Sequence, residues 1–216
     1  MSNQVDVVIV DCGLGNAGSI HNMLKRIGVA AIRSMDPVEV RNAPRIILPG
    51  VGAFDAGMAR LQKAGLVETL TELATRRRVP VFGICLGMQL MARRSEEGQV
   101  PGLGWIEADV RRFKFDGIGA PALKVPHMGW NSVTARYPTP LLMEGNEARF
   151  YFVHSYHVCC SRAEDVLATT TYGVTFASML RLGNIVGAQF HPEKSHQFGL
   201  ALLQNWLRST IPGPAT

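Results

Sequence analysis

The sequence is poor in the features that mark specialised classes of protein. Only four of its 216 residues are cysteine (Cys12, Cys85, Cys159 and Cys160), too few and too irregularly spaced for a disulfide framework. Cys159 and Cys160 are adjacent and on a strand would point to opposite faces, so reduced thiols are expected. Long apolar runs are missing as well. One long uncharged stretch lies between Arg78 and Arg93 and is interrupted by Pro80, Gly83, Gly87 and Gln89. It falls short of the ~18 apolar residues that a membrane span needs. The N-terminal residues Met1 to Asp6 lack the basic-then-apolar layout of a signal peptide. These absences exclude a membrane partner and predict a cytoplasmic protein.

Charge is also sparse, at 18% of residues, with a net charge of +5. The basic residues occur in short runs, Arg76-Arg77-Arg78, Arg93-Arg94 and Arg111-Arg112. None forms a long block or carries a reading motif, so no nucleic-acid partner is expected and the runs read as solvated faces. A basic rim that attracts a phosphorylated metabolite or an acidic partner stays open. Apolar residues, in contrast, make up 47% of the chain, enough for a packed core. At this length the expectation is a single domain, 1–216, without room for a second catalytic one.

The first half alternates strand and helix patterns. Val5 to Val10 is a continuous apolar run, as in a strand buried on both faces, and Ile20, Met23, Leu24 and Ile27 then recur at helical spacing before Gly28. Val29 to Ser34 reads as a second strand, Asp36-Pro37 as the start of a short helix, and Arg45 to Leu48 as a third strand stopped by Pro49-Gly50-Val51-Gly52. Helical patterns fill 53–77, and Val79 to Ile84 is a fourth apolar strand running into Cys85 and a further helix. Beyond residue 103 the texture becomes short and β-rich, at 105–113, 122–126, 148–158, 166–171 and 184–190. A last amphipathic helix, Ser195 to Leu207, carries Phe198, Leu202, Leu203 and Trp206. The predicted fold class is α/β: an open, mostly parallel sheet with helices on both faces and antiparallel β additions in the second half.

In open parallel sheets ligands bind beyond the carboxyl ends of the strands, which directs attention to four loops there. The sharpest is Gly83-Ile84-Cys85-Leu86-Gly87, a G-x-C-x-G between a strand and a helix, the layout of a nucleophile elbow. The following helix presents its N-terminus to the sulfur and favours a charged, reactive thiol. Gln189-Phe190-His191-Pro192-Glu193 follows another apolar strand; there Glu193 can reach the His191 imidazole and fix its tautomer. Cys85, His191 and Glu193 thereby make a nucleophile, base and orienter set. The glycine-rich Pro49-Gly50-Val51-Gly52 loop suits an oxyanion hole. His127-Met128-Gly129-Trp130-Asn131 and His154-Ser155-Tyr156-His157 lie on strand-like segments that could line the site.

Two rivals use overlapping residues. A zinc deaminase needs P-C-x-x-C after its H-x-E, and no cysteine follows position 160, so a metal site is disfavoured. Dinucleotide binding has a formal match in Gly13-Leu14-Gly15-Asn16-Ala17-Gly18, with Asp36 eighteen residues beyond Gly18. An NAD-binding oxidoreductase is therefore the alternative of another class, ranked second because it leaves the cysteine elbow unexplained.

Ile47 to Phe54 (ILPGVGAF), Gly83 to Leu90 (GICLGMQL), Lys124 to Asn131 (KVPHMGWN), Phe150 to Tyr156 (FYFVHSY) and Gln189 to Ser195 (QFHPEKS) together carry a family resemblance. Over nearly its whole length the chain resembles the class I glutamine amidotransferases and, within them, the glutaminase subunits of imidazole glycerol phosphate synthase. The resemblance implies that Cys85 attacks the carboxamide of glutamine, that His191 protonates the departing ammonia and then activates water, and that Glu193 orients His191. It implies an oxyanion hole from the backbone N–H of Leu86 and the Val51-Gly52 peptide. Gly52, Gln89, Tyr151, His154 and Ser155 would seat the substrate. Asn16, Trp130 and Lys194 would face a heterodimer partner, a (β/α)8 cyclase subunit whose own ligand switches hydrolysis on, through the oxyanion peptide near Val51, and which receives the ammonia through a channel. No cofactor is implied. The chain departs from the family pattern at Cys12, His157 and Thr171. A paralogous branch that supplies ammonia to a sugar amidotransferase in surface-polysaccharide synthesis is the alternative within the family.

Overall fold

In the computed structural model, which describes residues 5–13, 15–115, 123–142 and 148–210, the apolar runs of the first half become the centre of one large sheet. Strand β1 is Val7–Val10 and is buried throughout. Val7 and Ile9 enter one hydrophobic cluster, Val8 and Val10 the other, one on each face of the sheet. A strand covered on both sides has no polar face, which is why its sequence reads as a run instead of an alternation. Strands β2 (Ala31–Ser34), β3 (Ile46–Gly50) and β4 (Val81–Cys85) lie parallel in the order β2-β1-β3-β4.

Helix α1 (Ala17–Arg26) buries Ile20 and Leu24 and is capped by Asn16, whose side chain accepts from Ser19 N. Helix α2 (Pro37–Arg41) is capped by Asp36, which accepts from Val38 N at 2.8 Å. The helical stretch at 53–77 is not one helix. It divides into α3 (Phe54–Lys63), α4 (Leu66–Thr71) and a π-helical turn at Glu72–Arg76. A short α5 (Leu86–Leu90) follows β4 directly. The last helix, α6 (His196–Ser209), buries Leu202, Leu203 and Trp206, with Trp206 edge-on to Phe82 of β4.

The second half departs more from expectation. Strand β3 does not stop at Pro49 but continues through Gly50, because Pro49 and Gly50 stay in register with Ile84 and Cys85. The segment 105–113 contributes only β6 (Ala108–Arg112), paired with the two-residue β5 (Arg94–Ser95). Residue 122 lies outside the described residues and 123–126 form no strand; β7 begins at His127 and runs to Ala135. The stretch 148–158 breaks at Ser155 into β8 (Ala148–His154), which pairs with β7, and β9 (Tyr156–Cys160), which pairs with β6 in a separate three-stranded sheet. Next to β10 (Val166–Tyr172) stands β11 (Val174–Leu182), a strand the sequence pattern did not announce. Finally β12 (Ile185–Ala188) is antiparallel to β11 but parallel to β4, since the β10-β11-β12 meander returns the chain in the direction of the central strands. The large sheet reads β2-β1-β3-β4-β12-β11-β10-β7-β8. Among the described residues no helix is long and apolar enough to cross a membrane.

Candidate active site

Three neighbouring parallel strands, β3, β4 and β12, end side by side, and the loops that leave their carboxyl ends supply the Val51-Gly52 peptide, Cys85 and His191. Adjacent strands lie about 4.8 Å apart, so this order alone brings the three loops within reach of one small substrate. They line a cavity of about 430 Å³ together with Leu86, Gln89, Glu97, Val153, His154, Ser155 and Tyr156.

Cys85 stands at the strand-to-helix junction with φ 53° and ψ −109°, a conformation that non-glycine residues rarely adopt. The turn is made possible by its glycines. A Cβ on Gly87 would lie 1.8 Å from the Leu48 carbonyl oxygen, and one on Gly83 would lie 2.9 Å from the Gly87 backbone. The chain can fold this sharply only where both neighbours lack side chains. At the opposite wall Gly52 holds φ 99°, again outside the range of ordinary residues, although a Cβ there would meet nothing within 4 Å. Its glycine is required by the backbone angle and not by space. Val51 beside it is exposed.

His191 is 1% exposed and its Nδ1 lies 2.8 Å from Glu193 Oε1. Its Nε2 has no hydrogen-bond partner among the described residues, and it is the nitrogen left to serve the Cys85 side. Burial alone would push the imidazole towards the neutral form. Cys85 on one side and Glu193 on the other outweigh it and raise the His191 pKa to about 10. The ring is positioned through its backbone as well: His191 N donates to Tyr151 O at 2.9 Å, Ser195 Oγ donates to His191 O at 2.6 Å, and Tyr151 N donates back to Ser195 Oγ at 3.0 Å. The buried hydroxyl of Ser195 thus splices the histidine loop to β8.

The sequence-predicted residues divide by place. Cys85, Val51, Gly52, Leu86, Gln89, His154, Ser155 and His191 line one cavity, with Glu193 behind His191. Tyr151 does not line it. Its backbone holds His191, while its ring sits edge-on to Trp130 and 5.6 Å below Lys194 Nζ. Trp130 is 40% exposed and stacks on His196, so Trp130, Tyr151 and Lys194 form a surface cluster beside the site. Asn16, exposed, caps the helix that begins after the β1 loop. The formal dinucleotide motif has other uses: Asp36 is committed to its helix cap, Arg60 donates to Cys12 O against Gly13, and a Cβ on Gly15 would press on Gly50. Leu14 lies outside the described residues.

Two residues were not singled out from sequence. Glu97 lines the cavity next to Ala53, with Oε2 accepting from Phe54 N at 2.9 Å. No local signal distinguishes it from Glu96, and only the fold brings it across from the loop after β5. Ser195 lies inside the QFHPEKS motif but reads locally as the start of a helix.

A cysteine elbow on a parallel sheet, facing a histidine backed by a carboxylate, defines a triad hydrolase site of the amidotransferase kind. The model of the family described as glutamine amidotransferase class-I matches residues 8–209. This chain belongs to that family. It is 48% identical over 202 residues to "Imidazole glycerol phosphate synthase subunit HisH 2" of Pseudomonas aeruginosa, an alignment covering 93% of this chain and 98% of that protein. It is 47% identical over 205 residues to the subunit HisH of Moorella thermoacetica, covering 93% of each. Among solved structures, PurLQS from Thermotoga maritima superposes with a TM-score of 0.68 at 16% identity, over 95% of this chain and 98% of that one. A glutamine amidotransferase from the same organism gives 0.61 at 18%, over 95% and 81%. At such identities these two likenesses speak for the fold.

Proposed function

We propose that this chain is the glutaminase subunit of imidazole glycerol phosphate synthase: one domain that hydrolyses glutamine to glutamate and ammonia in the cytoplasm and passes the ammonia to a separate (β/α)8 cyclase subunit of histidine biosynthesis. The observation that carries the reading is Cys85 in its strained elbow sharing one cavity with His191, which Glu193 holds at 2.8 Å. The full-length likeness to HisH subunits supports the pathway.

The chemistry follows from the groups in place. Cys85 Sγ adds to the carboxamide carbon of glutamine, and the carbonyl oxygen takes up negative charge. The backbone N–H of Leu86 and the Val51-Gly52 peptide receive that charge; one such donor is worth about 2.7–4 kcal/mol in the transition state. His191, held as imidazolium, gives its Nε2 proton to the departing nitrogen; the C–N bond breaks, ammonia leaves and a glutamyl thioester remains. Neutral His191 then takes a proton from water, whose oxygen attacks the thioester and expels the sulfur, releasing glutamate. Glu97 offers a carboxylate to the substrate's α-ammonium, while Gln89, His154 and Ser155 shape the pocket around it. Asn16, Trp130 and Lys194 face the cyclase.

The test is a glutaminase assay with and without the cyclase subunit and its nucleotide ligand. Hydrolysis is expected to rise strongly when both are added, and Cys85→Ala to abolish it, by at least about 10⁴-fold. Full activity of Cys85→Ala would overturn the nucleophile assignment. Stimulation by a sugar-amidotransferase system in place of the cyclase would overturn the pathway.

A further inference from the structure

Gln189 precedes the catalytic histidine by two positions and is 0% exposed, yet it belongs to no apolar cluster. Its backbone N–H donates to Ser178 O at 2.9 Å, which ties it to β11. Its side chain turns towards the nucleophile: Nε2 lies 3.7 Å from Cys85 Sγ, within hydrogen-bonding distance for sulfur, and Oε1 accepts from Gln89 Nε2 at 3.1 Å. Gln89 Nε2 also donates to the Tyr156 carbonyl at 3.0 Å.

The direction of this chain of bonds is fixed by its far end. A carbonyl can only accept, so the end of Gln89 that meets Tyr156 O is its NH₂ group. That same group has a second hydrogen, which can be received only by the oxygen of Gln189. The Gln189 amide is thereby locked with its oxygen towards Gln89 and its NH₂ towards Cys85. A buried amide that has two orientations in isolation has one here, and it presents a donor to the sulfur.

We propose that Gln189 is a positioning residue for the nucleophile: its amide N–H, oriented by Gln89 and the Tyr156 carbonyl, holds the Cys85 sulfur in its charged form and aims it into the pocket. The inference rests on the reading of Cys85 as nucleophile. Donors directed at an anion favour the anion over its neutral form, and a buried donor does so without competition from water. The strained backbone at Cys85 sets where Cβ stands; the Gln189 donor sets which way the sulfur points from it. Gln89 acts on the nucleophile at one remove.

The experiment is alkylation of Cys85 by iodoacetamide in the full chain, followed by mass spectrometry as a function of pH, which needs no partner. In Gln189→Met the apolar volume is kept and the donor removed. The pH midpoint of alkylation is expected to move upward by about one unit, while the melting point falls by about 2–4 °C because the buried Gln89 amide loses an acceptor. With the activating partner present, kcat for glutamine should fall about tenfold at pH 7 and KM stay within about twofold, because the residue touches the nucleophile and not the substrate. If Gln189→Met does not fold, Gln189→Glu serves. It retains the oxygen that Gln89 needs and places a carboxylate oxygen where the N–H was, so its alkylation midpoint should rise at least as far. A folded Gln189 variant with the wild-type alkylation profile overturns the proposal. Undiminished hydrolysis by Cys85→Ala would instead overturn the nucleophile reading and leave any shift in the alkylation profile as a separate fact.

Discussion

Two buried histidine clusters lie side by side in this molecule, and they have opposite electrostatic characters. His191 is 1% exposed, and His127 and His154 are 3% and 6% exposed, so burial hardly distinguishes them. Yet His191 is raised to about 10, while burial pushes His127 down to about 4 and His154 down to about 3. The difference lies in the neighbours. His191 has a carboxylate at 2.8 Å and a sulfur on its other side. His154 has the Tyr156 carbonyl at 2.8 Å as its one favourable partner and histidines 127, 157 and 191 against it.

The second cluster assembles as a neutral relay. Tyr156 O can only accept, so His154 carries its proton on Nδ1 and accepts at Nε2 from His127 Nδ1, 3.1 Å away; His127 Nε2 then accepts from Asn131 Nδ2 at 3.3 Å. Protonating either ring would place two donors against each other. A histidine buried beside a carboxylate is built to be charged, and one buried among carbonyls, amides and other histidines is built to stay neutral. The first can transfer a proton, and the second stiffens the wall formed by His154 and Tyr156.

Removing the carboxylate is the harshest way to break this contrast. Glu193→Gln keeps the shape and a hydrogen-bond acceptor but withdraws the charge, and should lower kcat by about 10³- to 10⁴-fold. Titration of the His191 ring followed by NMR should show its pKa falling well below 10. A ring that stayed high in Glu193→Gln would mean that Cys85 alone sustains it.

The pH dependence of unfolding reads both clusters at once. Because the folded pKa of His191 is raised, its stabilisation is fully present below the unfolded value near 6.5 and is lost as pH climbs towards about 10. His127 and His154 have lowered folded pKa values, so the unfolded chain binds more protons than the folded one between about 3 and 6.5. Stability must fall as pH drops through that window. Urea midpoints measured from pH 4 to 10 should therefore peak near neutrality, with the acid limb flattened in a His127→Phe variant and the alkaline limb flattened in Glu193→Gln. An acid limb that His127→Phe left unchanged would remove His127 from the account.

The charged cluster was legible in the sequence because it is local: G-x-C-x-G and H-P-E each pack their chemistry into five residues or fewer, and the parallel strands beneath them are continuous apolar runs. The neutral relay was not. His127 and His154 were recognised only as residues on strand-like segments, since their pairing depends on the β7–β8 register that sets His127 opposite His154. The same non-locality hid the break at Ser155 and Glu97, whose hydrogen-bond partner Phe54 N lies 43 positions away; β11 pairs with its sequence neighbours β10 and β12, and its pattern was simply not read as a strand. Tyr151 was assigned to the substrate through the family resemblance, but its ring meets Trp130 and Lys194, while the cavity takes Val153, His154, Ser155 and Tyr156 from the end of the same segment.

The mildest and sharpest change converts one cluster into the other. Asn131→Asp is nearly isosteric and replaces the amide that donates to His127 Nε2 and to Thr171 O with a carboxylate that can only accept. At pH 7 the relay loses its first donor, a cost of about 1 kcal/mol, which for a domain of this size lowers Tm by about 2–4 °C. A carboxylate at about 3 Å from an imidazole should also raise the His127 pKa by about 1–3 units, giving His127 the pairing that His191 has. The loss of stability that this residue causes between about pH 6.5 and 4 then becomes smaller, and the penalty seen at pH 7 shrinks or reverses near pH 5. Partner-activated kcat should stay within about twofold, because Cys85, His191 and Glu193 are untouched. If His127 in Asn131→Asp titrated where it does in the parent chain, the neighbouring charge would not be what separates the two clusters, and burial geometry would have to be.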